Sequence, residues 1–138
     1  MLITRRAGFS SSHACRNPAL ADSENEALYG PEANPHGHGH DFLLEVTLEG
    51  EPDPVTGMVY DLKRLKDVLD REIVQRFDHR FLNSDVEPFD RVIPTVENMA
   101  VEIWKRLDPC FREPGIKLRS VRLRETEDLW VEFEGEAG

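Results

Sequence analysis

Three of the five histidines in the chain recur at every second position in Asn34-Pro35-His36-Gly37-His38-Gly39-His40. In an extended strand, residues two apart share a face, so these imidazoles point one way. The same parity continues through Phe42, Leu44, Val46 and Leu48, which places the histidines at the end of an apolar face. Glycines between them remove side-chain bulk and allow close approach. Imidazole lone pairs converging in a partly dry place suit a borderline cation such as zinc. A polar turn with solvated histidines accounts for one histidine at a strand mouth better than for an alternating run. His13 ends a second stretch of the same kind, with Ile3, Ala7 and Phe9 on its parity. If the two strands pair antiparallel, the end of the first lies beside the start of the second. His13 can then join His38 and His40 as a third ligand.

The elements that must position these residues follow in order. Leu2 to His13 reads as a strand. Ala14 to Pro35 is a long connection rich in Pro, Asn and acids, with one short helix over Ser23 to Tyr29; loops of this length are often functional. A strand over Asp41 to Leu48 and a turn at Glu51 to Gly57 lead to Asp61, a helix N-cap. Leu62, Leu65, Leu69 and Ile73 form an apolar helical stripe ending near Phe77. A loop runs to Pro94, and Thr95 caps a second helix whose apolar face is Val96, Met99, Ala100, Ile103 and Leu107. Ile116 to Arg124 is a strand whose alternation slips at Ser120, which predicts a bulge there. Glu125 to Asp128 reads as a turn, and Leu129 to Glu134 as the last strand. The order strand, strand, helix, helix, strand, strand predicts an α+β fold: a four-stranded antiparallel sheet with two helices on one face. Such a sheet has two open edges, which oligomerisation covers.

The length of 138 residues predicts a single domain, 1–138, large enough to bury a core. Two cysteines offer neither a disulfide framework nor a paired-cysteine zinc motif. A net charge of −10 argues against non-specific nucleic-acid binding while leaving room for a local basic patch. Absence of a signal-peptide core and of a membrane-length apolar run predicts a cytoplasmic protein without membrane attachment.

Phe9-Ser10-Ser11-Ser12-His13, Gly37-His38-Gly39-His40, Gly57-Met58-Val59, Phe77-Asp78-His79 with Leu82-Asn83, Pro94-Thr95-Val96-Glu97-Asn98 and Glu125-Thr126 together resemble the 6-pyruvoyl-tetrahydropterin synthase and 6-carboxytetrahydropterin synthase family. The resemblance implies the tunnelling fold, in which trimers close a barrel and stack into hexamers. It implies Zn2+ held by His13, His38 and His40, proton transfer assisted by Asp78 and His79, a pterin ring anchored by Glu125, and a pocket lined by Thr95 and Glu97. One position departs from the pattern. Counting back from His38 over Gly37, His36, Pro35, Asn34 and Ala33 reaches Glu32, where the family keeps a catalytic cysteine. A glutamate there resembles a subgroup serving folate synthesis, which cuts the side chain of 7,8-dihydroneopterin triphosphate to give 6-hydroxymethyl-7,8-dihydropterin. The alternatives within the family are 6-carboxytetrahydropterin synthase, on the queuosine route, and 6-pyruvoyl-tetrahydropterin synthase.

A three-histidine zinc leaves a coordination position open for water or substrate. A thiol of pKa ~8.5 is then replaced by a carboxylate near ~4.3, ionised without help at neutral pH but weaker as a base. Lys117, Arg119, Arg122 and Arg124 are candidates for holding a triphosphate. Outside the family, a non-catalytic zinc-binding protein needs the histidines but none of Glu32, Asp78, His79 and Glu125. An iron oxygenase wants a carboxylate among the metal ligands.

Overall fold

The computed structural model describes residues 1–136 of the 138. The elements are β1 (Leu2–His13), α1 (Asp22–Tyr29), β2 (His38–Gly50), α2 (Leu62–Leu69), α3 (Gln75–Phe77), β3 (Arg80–Phe81), α4 (Leu82–Asp85), α5 (Val96–Leu107), β4 (Ile116–Thr126) and β5 (Leu129–Phe133). The fold is α+β, as expected, but the sheet has five strands in the order β3-β1-β2-β4-β5. The strand not foreseen, β3, is two residues long and pairs parallel with Ser11 and Ser12. It lies inside the stretch read as loop, and two residues are too few to show alternation.

β1 and β2 pair antiparallel along their whole length, from Leu2↔Glu49 to His13↔His38. Their inward faces are Phe9, Ser11 and His13 on one strand and Phe42, Leu44, Val46 and Leu48 on the other, each under 6% exposed. That face is covered by α2, α3 and α5 through Leu65, Leu69, Ile73, Phe77, Met99, Ile103 and Leu107. Leu65, Leu69, Ile73 and Phe77 are spaced by four. In a regular α-helix each such step drifts by about 40°. A π-turn at Asp70–Val74 between α2 and α3 absorbs the drift, and all four side chains stay at 1% exposure or less. Leu62, expected on this stripe, is 52% exposed: it is the first helical residue, before the face turns inward. Asp61 and Thr95 cap their helices as expected, accepting from Lys63 N at 2.9 Å and Asn98 N at 3.2 Å.

Two register shifts shape β4. Thr47 pairs with Ser120 and Leu48 with Leu118, so the residue left over is Arg119, one position before the expected bulge. The second shift skips Glu125, between Arg124↔Trp130 and Thr126↔Leu129. Glu125 is therefore a strand residue and not part of the turn. Its side chain continues the inward parity of Val121 and Leu123 and is 6% exposed. No helix among the described residues is long and apolar enough to cross a membrane.

Leu44 sits at the centre of the inward face with 0% exposure. Leu44→Ala should lower stability by about 2–5 kcal/mol through lost burial and a residual cavity. Urea unfolding at fixed protein concentration checks this, and a shift below ~1 kcal/mol would mean the site collapses or is not core.

Candidate metal centre and active site

His13 closes β1, and His38 and His40 open β2. The pairs His13↔His38 and Ser11↔His40 bring the three rings together on the inward face. Their centroids lie 4.6, 5.3 and 5.0 Å apart. The Phe42 ring centroid lies 5.8 Å from that of His13 and 5.6 Å from that of His40, giving the cluster an apolar floor. All three Nε2 atoms are buried, and none has a hydrogen-bond partner among the described residues. Glu125 Oε1 lies 3.3 Å from His13 Nε2 and 3.1 Å from His40 Nε2, at ion-pair distance. One ligand-capable atom from each of His13, His38, His40 and Glu125 falls within 4.8 Å of all the others.

Orphaned polar atoms in a protein interior are costly, and a convergent set calls for a ligand. The donors here, three imidazole nitrogens and a carboxylate oxygen, fit a divalent cation. The tautomer supports this. His13 Nδ1–H donates to the Pro94 carbonyl at 2.7 Å, which leaves Nε2 facing the cluster. Gly37 permits the approach of the β2 mouth. Its φ is +77°, and a Cβ there would lie 2.8 Å from the Phe81 ring and 3.2 Å from the His13 carbonyl.

Electrostatics reflect four titratable groups in one place. Burial works against a proton on His13, but contacts with Cys15, Glu125 and the Pro94 carbonyl outweigh it and push its pKa up to about 10. Burial lowers His38, helped by the neighbouring imidazoles His13 and His40. Contact with His13 holds the Glu125 carboxyl below its ordinary range despite burial.

The remaining candidates are placed as follows. Glu32 is exposed, in a 3-10 turn over Gly30–Ala33, and its carbonyl accepts from Cys15 N at 2.8 Å. Its carboxylate is close enough for its charge to act on His38. Thr95 follows Pro94, whose carbonyl holds His13, so the start of α5 borders the cluster. Glu97 is exposed in the first turn of that helix. Glu125, expected at a pterin ring, is drawn into the histidine cluster itself. Asp78 and His79 are not brought there by their own chain. Asp78 Oδ1 accepts from Ser10 N at 2.8 Å, and Oδ2 accepts from His79 Nδ1 at 2.8 Å. Both bonds hold the Asp78 carboxyl below its usual range. The His79 side chain is 84% exposed, on a backbone with φ +58°, a conformation a non-glycine residue adopts at a cost. His36 is exposed and outside the cluster. Of the basic residues suggested for a triphosphate, Lys117 and Arg119 are paired with Glu49 or Glu134, and Arg122 and Arg124 stack on Trp130.

Three residues support the site through contacts that the sequence pattern does not indicate. Cys15 packs behind His13, its Sγ 3.9 Å from Nδ1. Asn25, fully buried, gathers the long connection by accepting from Asn17 N and donating to the Asn17, Leu20 and Ala21 carbonyls. Asn83 bonds the backbone of Ala14. A buried Asn in a polar loop has no periodicity to announce it.

The family described as 6-pyruvoyl tetrahydropterin synthase matches residues 2–136. A Homo sapiens protein named 6-pyruvoyl tetrahydrobiopterin synthase is 42% identical over 134 residues, covering 97% of this chain and 91% of the human one. A Pyrococcus furiosus protein named dihydroneopterin monophosphate aldolase is 36% identical over 133 residues, covering 96% of each chain. The structure of Caenorhabditis elegans 6-pyruvoyl tetrahydropterin synthase superposes with a TM-score of 0.92 at 34% identity, covering 99% of this chain and 96% of that one.

The cluster geometry yields a contrast between neighbouring histidines. His38→Ala should abolish stoichiometric metal, while His36→Ala should leave it intact. Elemental analysis of the purified variants reads this directly, and equal losses in both would mean the wrong trio has been chosen.

Proposed function

The chain belongs to the 6-pyruvoyl tetrahydropterin synthase family, and from that membership we propose that it is a zinc-dependent lyase acting on 7,8-dihydroneopterin triphosphate, cutting the side chain to give 6-hydroxymethyl-7,8-dihydropterin. The observation that carries the choice of product is Glu32: a carboxylate stands where the family keeps a thiol, in a turn whose charge reaches His38. His13, His38 and His40 would hold the zinc. Bound there, it would polarise the side-chain oxygens of the substrate as a Lewis acid.

The protein groups then move protons. Glu32 takes the proton from the second side-chain hydroxyl as the bond between the first and second side-chain carbons breaks. The far fragment leaves as an aldehyde carrying the triphosphate. The electron pair stays on the carbon attached to the pterin, and a proton delivered to that carbon completes the hydroxymethyl group, with no net oxidation. His79, oriented by Asp78, is the donor. Glu125, beside the trio and not a fourth zinc ligand in this reading, would turn its carboxylate to accept two N–H bonds from the guanidine-like edge of the pterin. Thr95 and Glu97, at the start of α5, would line the mouth of the pterin pocket.

Because His79 projects from the β1 edge and not into its own chain's cluster, it serves the site of a neighbouring copy. A site shared between subunits requires a homo-oligomer, which we take to be a cytoplasmic homohexamer, a dimer of trimers. The open sheet edges at β5 and along β1 before Ser11 are the surfaces that would pair. Light scattering at micromolar concentration should return six chains per particle, and a monomer would contradict the shared site.

A second reading, synthesis of the 6-pyruvoyl product, is favoured by the name of the human relative at 42% identity. Glu32→Gln separates base chemistry from shape. Turnover should fall by about 10²–10⁴-fold with metal content unchanged. Mass spectrometry of the wild-type products from dihydroneopterin triphosphate distinguishes the two readings: the hydroxymethyl pterin is expected, and the pyruvoyl product would overturn the cleavage assignment.

A further inference from the structure

His13 is the last residue of β1 with a partner in β2. The chain leaves the sheet at Ala14, which is 1% exposed, so its backbone N–H and C=O need partners other than water. Asn83 on α4 supplies both. Its Oδ1 accepts from Ala14 N at 2.8 Å, and its Nδ2 donates to the Ala14 carbonyl at 2.8 Å. One side-chain amide thus continues the ladder that β2 abandons.

The two neighbours of Ala14 give this clamp its consequence. On one side is His13, a member of the buried histidine cluster. On the other is Cys15, whose N–H donates to the Glu32 carbonyl at 2.8 Å. Arg16 Nη1 adds a bond to the Ala33 carbonyl at 2.7 Å. The turn bearing Glu32 is therefore hung from Cys15 and Arg16, which follow directly from the clamped residue. Asn83 also closes a seam along β1. Asp78 Oδ1 takes Ser10 N, the Ser10 carbonyl takes His79 N at 2.6 Å, and the Phe77 carbonyl takes Ser11 Oγ at 2.6 Å. Arg80 and Phe81 pair with Ser11 and Ser12.

We propose that Asn83 is a positioning residue: by gripping both polar groups of Ala14 it sets the placement of the Glu32 turn relative to the His13 imidazole. The catalytic part of this rests on the function proposed above. Asn83 touches no reacting atom and acts through Ala14 and Cys15. Displacing a catalytic group by an ångström can cost about 10²-fold in rate, so small slippage here is enough to matter.

The test compares Asn83→Ala, Asn83→Asp, Glu32→Gln and the Asn83→Ala/Glu32→Gln double variant. Asn83→Asp keeps the acceptor for Ala14 N–H and loses the donor to the Ala14 carbonyl, which makes it the milder change if Asn83→Ala fails to fold. With metal content intact, Asn83→Ala should lower kcat by about 10–100-fold with KM little changed. If Asn83 acts through Glu32, the double variant should be no slower than Glu32→Gln alone. Independently of turnover, the Cys15 amide should exchange with solvent deuterium at least about 10-fold faster in Asn83→Ala, and to a smaller degree in Asn83→Asp. A rate loss that multiplies in the double variant, or a Cys15 amide as protected in the variants as in wild type, would overturn the proposal. Wild-type protein inert toward dihydroneopterin triphosphate would refute the functional reading alone, because the exchange measurement still decides whether Asn83 holds the turn.

Discussion

The antiparallel pairing of β1 with β2 is the constraint from which the site follows. It sets His13 opposite His38 and Ser11 opposite His40, on the face that carries Phe9, Phe42 and Leu44. A slip of one residue would send every side chain of β1 to the other face. His13 would then leave the cluster and the core would lose Phe9. Core packing and cluster assembly therefore demand the same register, and burial of the apolar residues holds the imidazoles together before any ligand arrives.

What lies beyond the pairing is arranged by irregular elements. Glu125 carries the inward alternation of Val121 and Leu123 one step further, and the register shift between Arg124 and Thr126 leaves it without a partner in β5. The π-turn at Asp70–Val74 keeps Phe77 on the sheet and delivers the chain to Asp78. From there the segment runs beside β1, meeting it at Ser10, Ser11 and Ser12, and bonds Ala14 just beyond its end. The strained backbone of His79 is over-determined by its bonds to Ser10 and Asp78, which is how a costly conformation persists.

Much of this is legible in the residue pattern. Parity places Phe9 and His13 on one face of β1 and His38, His40 and Phe42 on one face of β2, and antiparallel pairing brings the two together. The caps at Asp61 and Thr95 and the apolar face of α5 follow from side-chain chemistry with helical spacing. Other features are not legible, for specific reasons. β3 is shorter than one period of a strand, so Arg80-Phe81 carries no alternation. The turn residues Glu125 to Asp128 read as polar because a carboxylate buried against imidazoles looks, in sequence, like one facing water. Asn25 and Asn83 satisfy backbone groups far along the chain, and nothing local marks a side chain whose partners are 8 or 69 residues away. The position of Glu32 rests on comparison with a motif, since an exposed acid in a loop has no pattern of its own.

The central claim is that three imidazoles from two paired strand ends hold one divalent cation. X-ray absorption at the zinc edge of the loaded protein reads the ligand shell directly. The account predicts light-atom neighbours only, near ~2.0–2.1 Å, with the multiple-scattering signature of three imidazole rings. A sulfur shell near ~2.3 Å would instead draw in Cys15, and fewer than three imidazoles would break the trio; either result would contradict it.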